Sequence, residues 1–193
     1  KAHILSPQSA EPIMSLIFYY EIKGDYVKRD ENIEAFYSIG DYSAGLLNYS
    51  YNLLSALDNN AIVFTEGDKD TEAILLLTKG KKYRPDVRML NMNLLLIKEY
   101  RERIFNELEI PQLHFEPITN EENYEKFQQL IIKRVAENKK ARPVYVAVTV
   151  TKPYTNVINK DLYLTGLAYL YSTKKIDSIS LLVQNVEQVF LLD

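Results

Sequence analysis

Apolar positions in the first 58 residues recur at helical spacing. Ile13, Leu16, Ile17 and Tyr20 fall on one face behind Pro12, which is tolerated in a first helical turn, and this helix is expected to stop near Gly24. A second helix is predicted after Gly40-Asp41, with Asp41 as its cap and Leu46, Tyr49, Leu53 and Leu57 as its buried stripe. Together the two read as a helical hairpin. From Asn59 onward the pattern alternates. Short runs rich in β-formers at 61–65, 87–91 and 144–150 are separated by helical stripes over 70–80, 97–108 and 119–135, the last opened by Thr119 and Glu122 in capping-box spacing. A fourth strand is predicted over 164–171, with Tyr169 and Tyr171 on one face, after a polar connection at 152–161. The tail reads as a helix capped by Asp177 that buries Ile179, Leu182, Val183, Val186 and Phe190.

Strand and helix therefore alternate as βαβαβ. That order predicts an α/β fold, with a mainly parallel sheet of about four strands covered by helices in Rossmann-like layers and an N-terminal helical hairpin. The hairpin occupies residues 1–58 and the α/β domain 59–193, packed as one structural unit. Two Gly-Asp-Tyr triplets, at 24–26 and 40–42, are too short and too few for a helical repeat.

Composition removes several classes of function. A net charge of −3 lacks the basic footprint that neutralises phosphates, so no nucleic-acid partner is expected. No apolar run approaches the roughly 20 residues that span a bilayer, so the chain as given is not membrane-spanning. Because it begins at Lys1 rather than Met, it is expected to be a trimmed form, and a missing leader carries little weight. The absence of cysteine excludes disulfides, thiolate metal sites and cysteine nucleophiles, and His3 and His114 alone cannot build a histidine-rich metal centre. Fifteen tyrosines suit half-exposed grooves and core edges alike.

Ligands of open parallel sheets bind beyond the carboxyl ends of the strands. Three such ends carry polar residues here: Asp68, Asp70 and Thr71 after the first strand, Asn91 and Asn93 after the second, Thr149 and Thr151 after the third. Asp68 and Asp70, with neighbouring hydroxyl and amide oxygens, have the chemistry to hold a hard divalent cation such as Mg²⁺, and Lys69 the charge to pair with an anion. Aspartates in a first helical turn are also favoured by capping and by the helix dipole with no ligand at all, and both readings stand at this point. Neither G-x-G-x-x-G nor a P-loop occurs, and there is no G-x-S-x-G elbow or H-E-x-x-H. His114 lies between prolines as a packed loop residue would. Glu121-Glu122 and Lys139-Lys140 fit the two solvated ends of one helix, and Arg101-Glu102-Arg103 a charged helix face.

Residues 60–65, the turn Gly67-Asp68-Lys69-Asp70-Thr71, the block Arg84-Pro85-Asp86-Val87-Arg88 with Asn91, then Arg142-Pro143-Val144-Tyr145 and Leu164-Thr165-Gly166-Leu167-Ala168-Tyr169 carry a resemblance. Together they resemble the soluble extracytoplasmic region of a bacterial family of multi-spanning membrane proteins of unknown function, related to the plexin-type protein O-mannosyltransferases. In that family the turn usually reads Gly-Asp-Asn-Asp-Thr before aromatic residues; here Lys69 stands at its third position and Glu72 to Leu76 follow. The resemblance implies a periplasmic or otherwise extracytoplasmic location and a protein or carbohydrate partner at the cell envelope. It does not imply transferase activity. The expectation is a non-catalytic binding or accessory domain, glycan-related, that uses Asp68, Asp70, Thr71, Asn91, Asn93 and Thr149. The alternatives are a divalent-metal-dependent enzyme on a phosphorylated or glycosylated substrate and a structural cell-envelope interaction domain.

Overall fold

The structure, a computed structural model, describes residues 10–39, 42–114, 121–138 and 142–192. Helix α1, Ala10–Lys23, buries Ile13, Met14 and Ile17 and ends at Gly24, whose φ of +74° is a left-handed conformation that favours glycine. Asp25 restarts the chain by accepting the Lys28 N–H at 3.2 Å, and α2, Tyr26–Ile39, folds back on α1. These two form the hairpin. The sequence pattern had paired the first helix with a helix near 41–57; that one, α3, Ala44–Ser55, is the third, and it packs instead on the helix after the first strand. Helix α2 escapes the periodicity test because it buries only Ile33, Phe36 and an arginine, Arg29. The Ser43 hydroxyl caps α3 by accepting the Leu46 N–H, while Gly40 and Asp41 lie outside the described residues. Of the stripe expected on α3, Leu53 and Leu57 are buried and Leu46 and Tyr49 half-buried.

Five strands form one sheet: β1 Ile62–Thr65, β2 Arg88–Asn91, β3 Val144–Ala147, β4 Leu162–Leu164 and β5 Ala168–Tyr171. Their order is β2-β1-β3-β5-β4, parallel across the first three and antiparallel beyond β3. Strand β1 sits at the centre of the three parallel strands with all four residues buried, Ile62 opposite both Arg88 and Val144, as a strand covered on both faces requires. Helix α4, Asp68–Leu75, continues as a π turn at Leu76–Gly80 and joins β1 to β2; α5, Lys98–Glu107, and α6, Glu121–Ala136, lie between β2 and β3. The chain moves from β1 to one neighbour and then jumps to the other, an order for which the right-handed rule for parallel crossovers calls for α4 on one face and α5 and α6 on the opposite one. The α/β prediction holds, with apolar residues of α1 to α3 joining those of the sheet in one cluster.

Three local expectations are corrected. The strand predicted over 164–171 is the hairpin β4–β5: Gly166, at φ +147°, breaks it, and Thr165 N–H closes the turn on the Ala168 carbonyl at 3.0 Å. Strand β3 stops at Ala147 rather than Val150, because Val150 N–H turns back to the Ala147 carbonyl, and the one-turn helix α7, Lys152–Thr155, follows. Helix α8, Ser178–Gln184, is capped by Asp177 as expected, yet its apolar stripe is not buried: Ile179 is 74% exposed, and Val183 and Val186 face solvent. Asn52 of α3 holds the following segment, donating to the Leu191 carbonyl and accepting its N–H. Thr119 of the expected capping box lies outside the described residues, and Glu122 pairs with Lys126 at 2.5 Å. Among the described residues no helix is long and apolar enough to cross a membrane.

Candidate functional site

The reversal of strand order puts a topological switch point between the carboxyl ends of β1 and β3, where doubly wound sheets bind ligands. Here protein side chains bridge it. Thr149 donates its hydroxyl to Asp70 Oδ2 at 2.5 Å, and Glu66 accepts both the Thr151 N–H at 2.6 Å and the Thr151 hydroxyl at 3.0 Å. Thr71, wholly buried, donates to the Gly67 carbonyl at 2.7 Å and accepts from Asn91 Nδ2 at 2.8 Å. The Thr65 hydroxyl, 2.9 Å away, is therefore the donor to Thr71. Asn91 also accepts the Leu94 N–H, while Asn93 donates to the Glu66 carbonyl and accepts from Tyr124. Five of the six residues singled out in the sequence thus belong to one hydrogen-bond network that ties three strand ends together.

Asp70 lies at the third position of α4, where the dipole's positive end favours a carboxylate, and its Oδ1 accepts the Thr71 N–H at 2.8 Å alongside that N–H's longer bond to the Gly67 carbonyl at 3.3 Å. A Cβ on Gly67 would stand 3.1 Å from Asp70 Oδ1, so glycine lets this carboxylate fold back over the turn. Burial raises the Asp70 pKa, against the opposing pull of the Thr149 hydroxyl and the Thr71 N–H. Because the folded-state pKa lies above the ordinary 3.8, ionising Asp70 costs the folded state, and its contribution to stability falls as pH rises from 3.8 through the folded value. Asp70→Asn, which keeps an acceptor for Thr149, is expected to change folding stability by less than about 1 kcal/mol at neutral pH. Asp70→Ala takes the acceptor from the Thr149 hydroxyl and leaves the Thr71 N–H only its longer bond to the Gly67 carbonyl, and should cost about 2 kcal/mol. Urea unfolding of both variants checks this.

Asp68 points elsewhere. Positions two apart on a helix are separated by roughly 200° around the axis, so Asp68 and Asp70 do not share a face. Asp68 is exposed and borders a cleft of about 520 Å³ between α4 and the α1–α2 hairpin. The apolar lining of this cleft is Met14, Phe18, Phe36 and Tyr42. Its polar lining includes Glu11, Glu72 and Lys69, whose ammonium pairs with Glu72 at 2.9 Å rather than standing free for an outside anion. Tyr42 OH donates to the Lys69 carbonyl at 2.9 Å and approaches Glu72 Oε2 at 3.3 Å, and burial with the Glu72 charge raises its pKa. Among the described residues no three His, Asp or Glu side chains gather as a metal-ligand set.

Sequence reasoning missed Glu66 and the whole cleft. Glu66 directly precedes the glycine of the turn, and its position one residue past β1 was the available signal; the cleft joins segments up to about 60 residues apart, and no local pattern announces it.

Arg84, Asp86 and Arg142, from two other blocks of the resemblance, brace the chain. Arg84 binds the carbonyls of Leu54, Leu57 and Asp58 at the end of α3, Asp86 accepts the Asn60 N–H, and Arg142 reaches the carbonyls of Asn60 and Asp86. Residues 46–108, from within α3 to the end of α5, match a family model described as TMEM260-associated domain 2. That match fits a TMEM260-like family. No curated protein and no solved structure matches the chain.

Proposed function

We propose that this chain is a non-catalytic binding or accessory domain that works outside the cytoplasm, and that its ligand site is the cleft beside Asp68. The observation that carries the reading is the division of labour within one turn. Asp70 is turned to Thr149 and Thr71, in a network that joins strand ends, while Asp68 opens on a cleft with aromatic residues in its lining. Aromatic faces with polar groups at their margin are the usual composition of a binding groove. Support for the location comes from the resemblance of its sequence blocks to an extracytoplasmic region.

Amide NMR of the whole chain with short glycans and short peptides tests this. Ligand-induced shifts should centre on Phe18, Tyr42 and Asp68; Phe18→Ala should abolish them and Asp70→Asn leave them in place. Shifts centred on Thr149 and Thr151 would overturn the assignment.

A second reading, an interaction domain within the cell envelope, is favoured by the exposed apolar residues Ile179 and Val183 on α8 and Leu192 beyond it. Light scattering at rising concentration separates the two.

A further inference from the structure

The cleft has a definite sign of charge. Three carboxylates, Glu11, Asp68 and Glu72, share it with one cation, Lys69. Glu72 is 7% exposed, whereas the Lys69 side chain is 69% exposed and reaches in from solvent to place its ammonium 2.9 Å from Glu72 Oε2. That ammonium is held protonated beyond its ordinary range by the hydrogen bond to Glu72, by the Glu72 charge and, more weakly, by Asp68 and Glu11, so the carboxylates act on one point as a joint field. The resemblance alone would make a glycan the first candidate, but a neutral sugar needs no surplus of negative charge, whereas a cation does. Aromatic faces favour cations as well, and long basic side chains lay their alkyl stems on apolar surface.

We propose that the cleft binds a lysine or arginine side chain of an extended basic peptide segment, which takes the place of the Lys69 ammonium at Glu72 and packs its stem on Phe18. This rests on the reading that the cleft is the ligand site. Lys69 is then an internal competitor, and its removal has a sign that a purely structural role would not give.

The test uses acetylated, amidated tetralysine as probe, with tetraglutamate and mannobiose beside it, followed by amide NMR of the whole chain in low-salt buffer. Tetralysine should shift Phe18, Tyr42, Lys69 and Glu72, tetraglutamate should not, and added salt should weaken the binding several-fold. Lys69→Gln should tighten it about threefold, Glu72→Gln should weaken it about tenfold, and Asp68→Asn, at an exposed position, about threefold. Unchanged or weaker tetralysine binding in Lys69→Gln would overturn the proposal. Mannobiose shifting the cleft while tetralysine does not would also overturn it, yet leave the cleft as the ligand site. Silence of both probes there would remove the proposal and the underlying assignment together.

Discussion

Replacing Arg84 with alanine is expected to cost about 3 kcal/mol of folding stability, because one guanidinium binds three carbonyls at and just beyond the end of α3. Its Nη1 donates to the carbonyls of Leu54 and Leu57 at 2.8 Å each, and Nη2 donates to the Asp58 carbonyl at 2.8 Å. The Leu54 carbonyl also accepts the Leu57 N–H at 3.3 Å, the Leu57 and Asp58 carbonyls lie just past the helix, and the negative end of the helix dipole favours a cation there. Nε and Nη2 hold Asp86 as a bidentate pair. Arg84 pays for this with a left-handed backbone at φ +49°. Arg84→Gly should therefore be less damaging than Arg84→Ala by about 1 kcal/mol, since glycine relieves the strain while losing the same contacts.

The pair carries a pH signature. The hydrogen bond from Arg84 lowers the Asp86 pKa from 3.8 to about 2, helped by the Asn60 N–H and opposed by burial. A depressed carboxylate contributes its full stabilisation above 3.8 and loses it as pH falls through about 2. Urea unfolding at pH 7, 4 and 2 should show the wild type losing stability across the acid range, and Arg84→Ala losing less there because that contribution is already gone.

How much of this was legible in the sequence depends on which side chains carry the pattern. Strands β1, β2 and β3 were readable because apolar β-formers such as Val63, Leu90 and Val146 stand between turn residues and are buried whatever the tertiary detail. Helix α2 was hidden because Arg29 occupies an inward position, and a buried arginine counts as polar in any periodicity. The α8 stripe failed for the opposite reason: periodicity shows that a face is apolar, not that anything covers it, and Ile179 and Val183 are left in solvent.

The candidate site was legible by position and not by direction. The topology rule correctly brought Asp70, Thr71, Asn91 and Thr149 to one end of the sheet. Whether a carboxylate there faces a ligand or a neighbouring strand depends on the phase of α4, and Asp68 and Asp70 take opposite sides. Glu72, one turn beyond Asp68, proves to line the same cleft, a relation that i to i+4 spacing allows only once the hairpin supplies the other wall.

That hairpin gives the other large effect: Glu21→Gln is expected to cost about 3 kcal/mol and to loosen α1 and α2 before the sheet. Glu21 is 3% exposed, with Arg29 Nη1 at 2.5 Å, the Tyr100 hydroxyl at 3.5 Å and Arg88 Nη2 at 3.9 Å. Arg29 keeps Asp30 and Arg88 keeps Glu107, but both of those acids lie nearer solvent, so Glu21 is the counter-charge at the buried centre. Lys79 shares the field: burial lowers its pKa, Arg88 and Arg29 lower it further, and Glu21 is first among the charges that oppose them. Neutralising Glu21 therefore removes the buried counter-charge from three cations rather than one, leaving Arg29 and Arg88 only their acids nearer solvent. Replacing the central pair by well-packed apolar groups, as in Glu21→Met with Arg29→Met, should recover about half of that loss, because the desolvation cost of both charges is removed while Arg88 and Lys79 still lack Glu21. Hydrogen exchange distinguishes this from global weakening. In Glu21→Gln the amides of α1 and α2 should exchange faster than those of β1 and β3. Probe binding at the cleft, whose wall they form, should fall in the same variant and return in the double one.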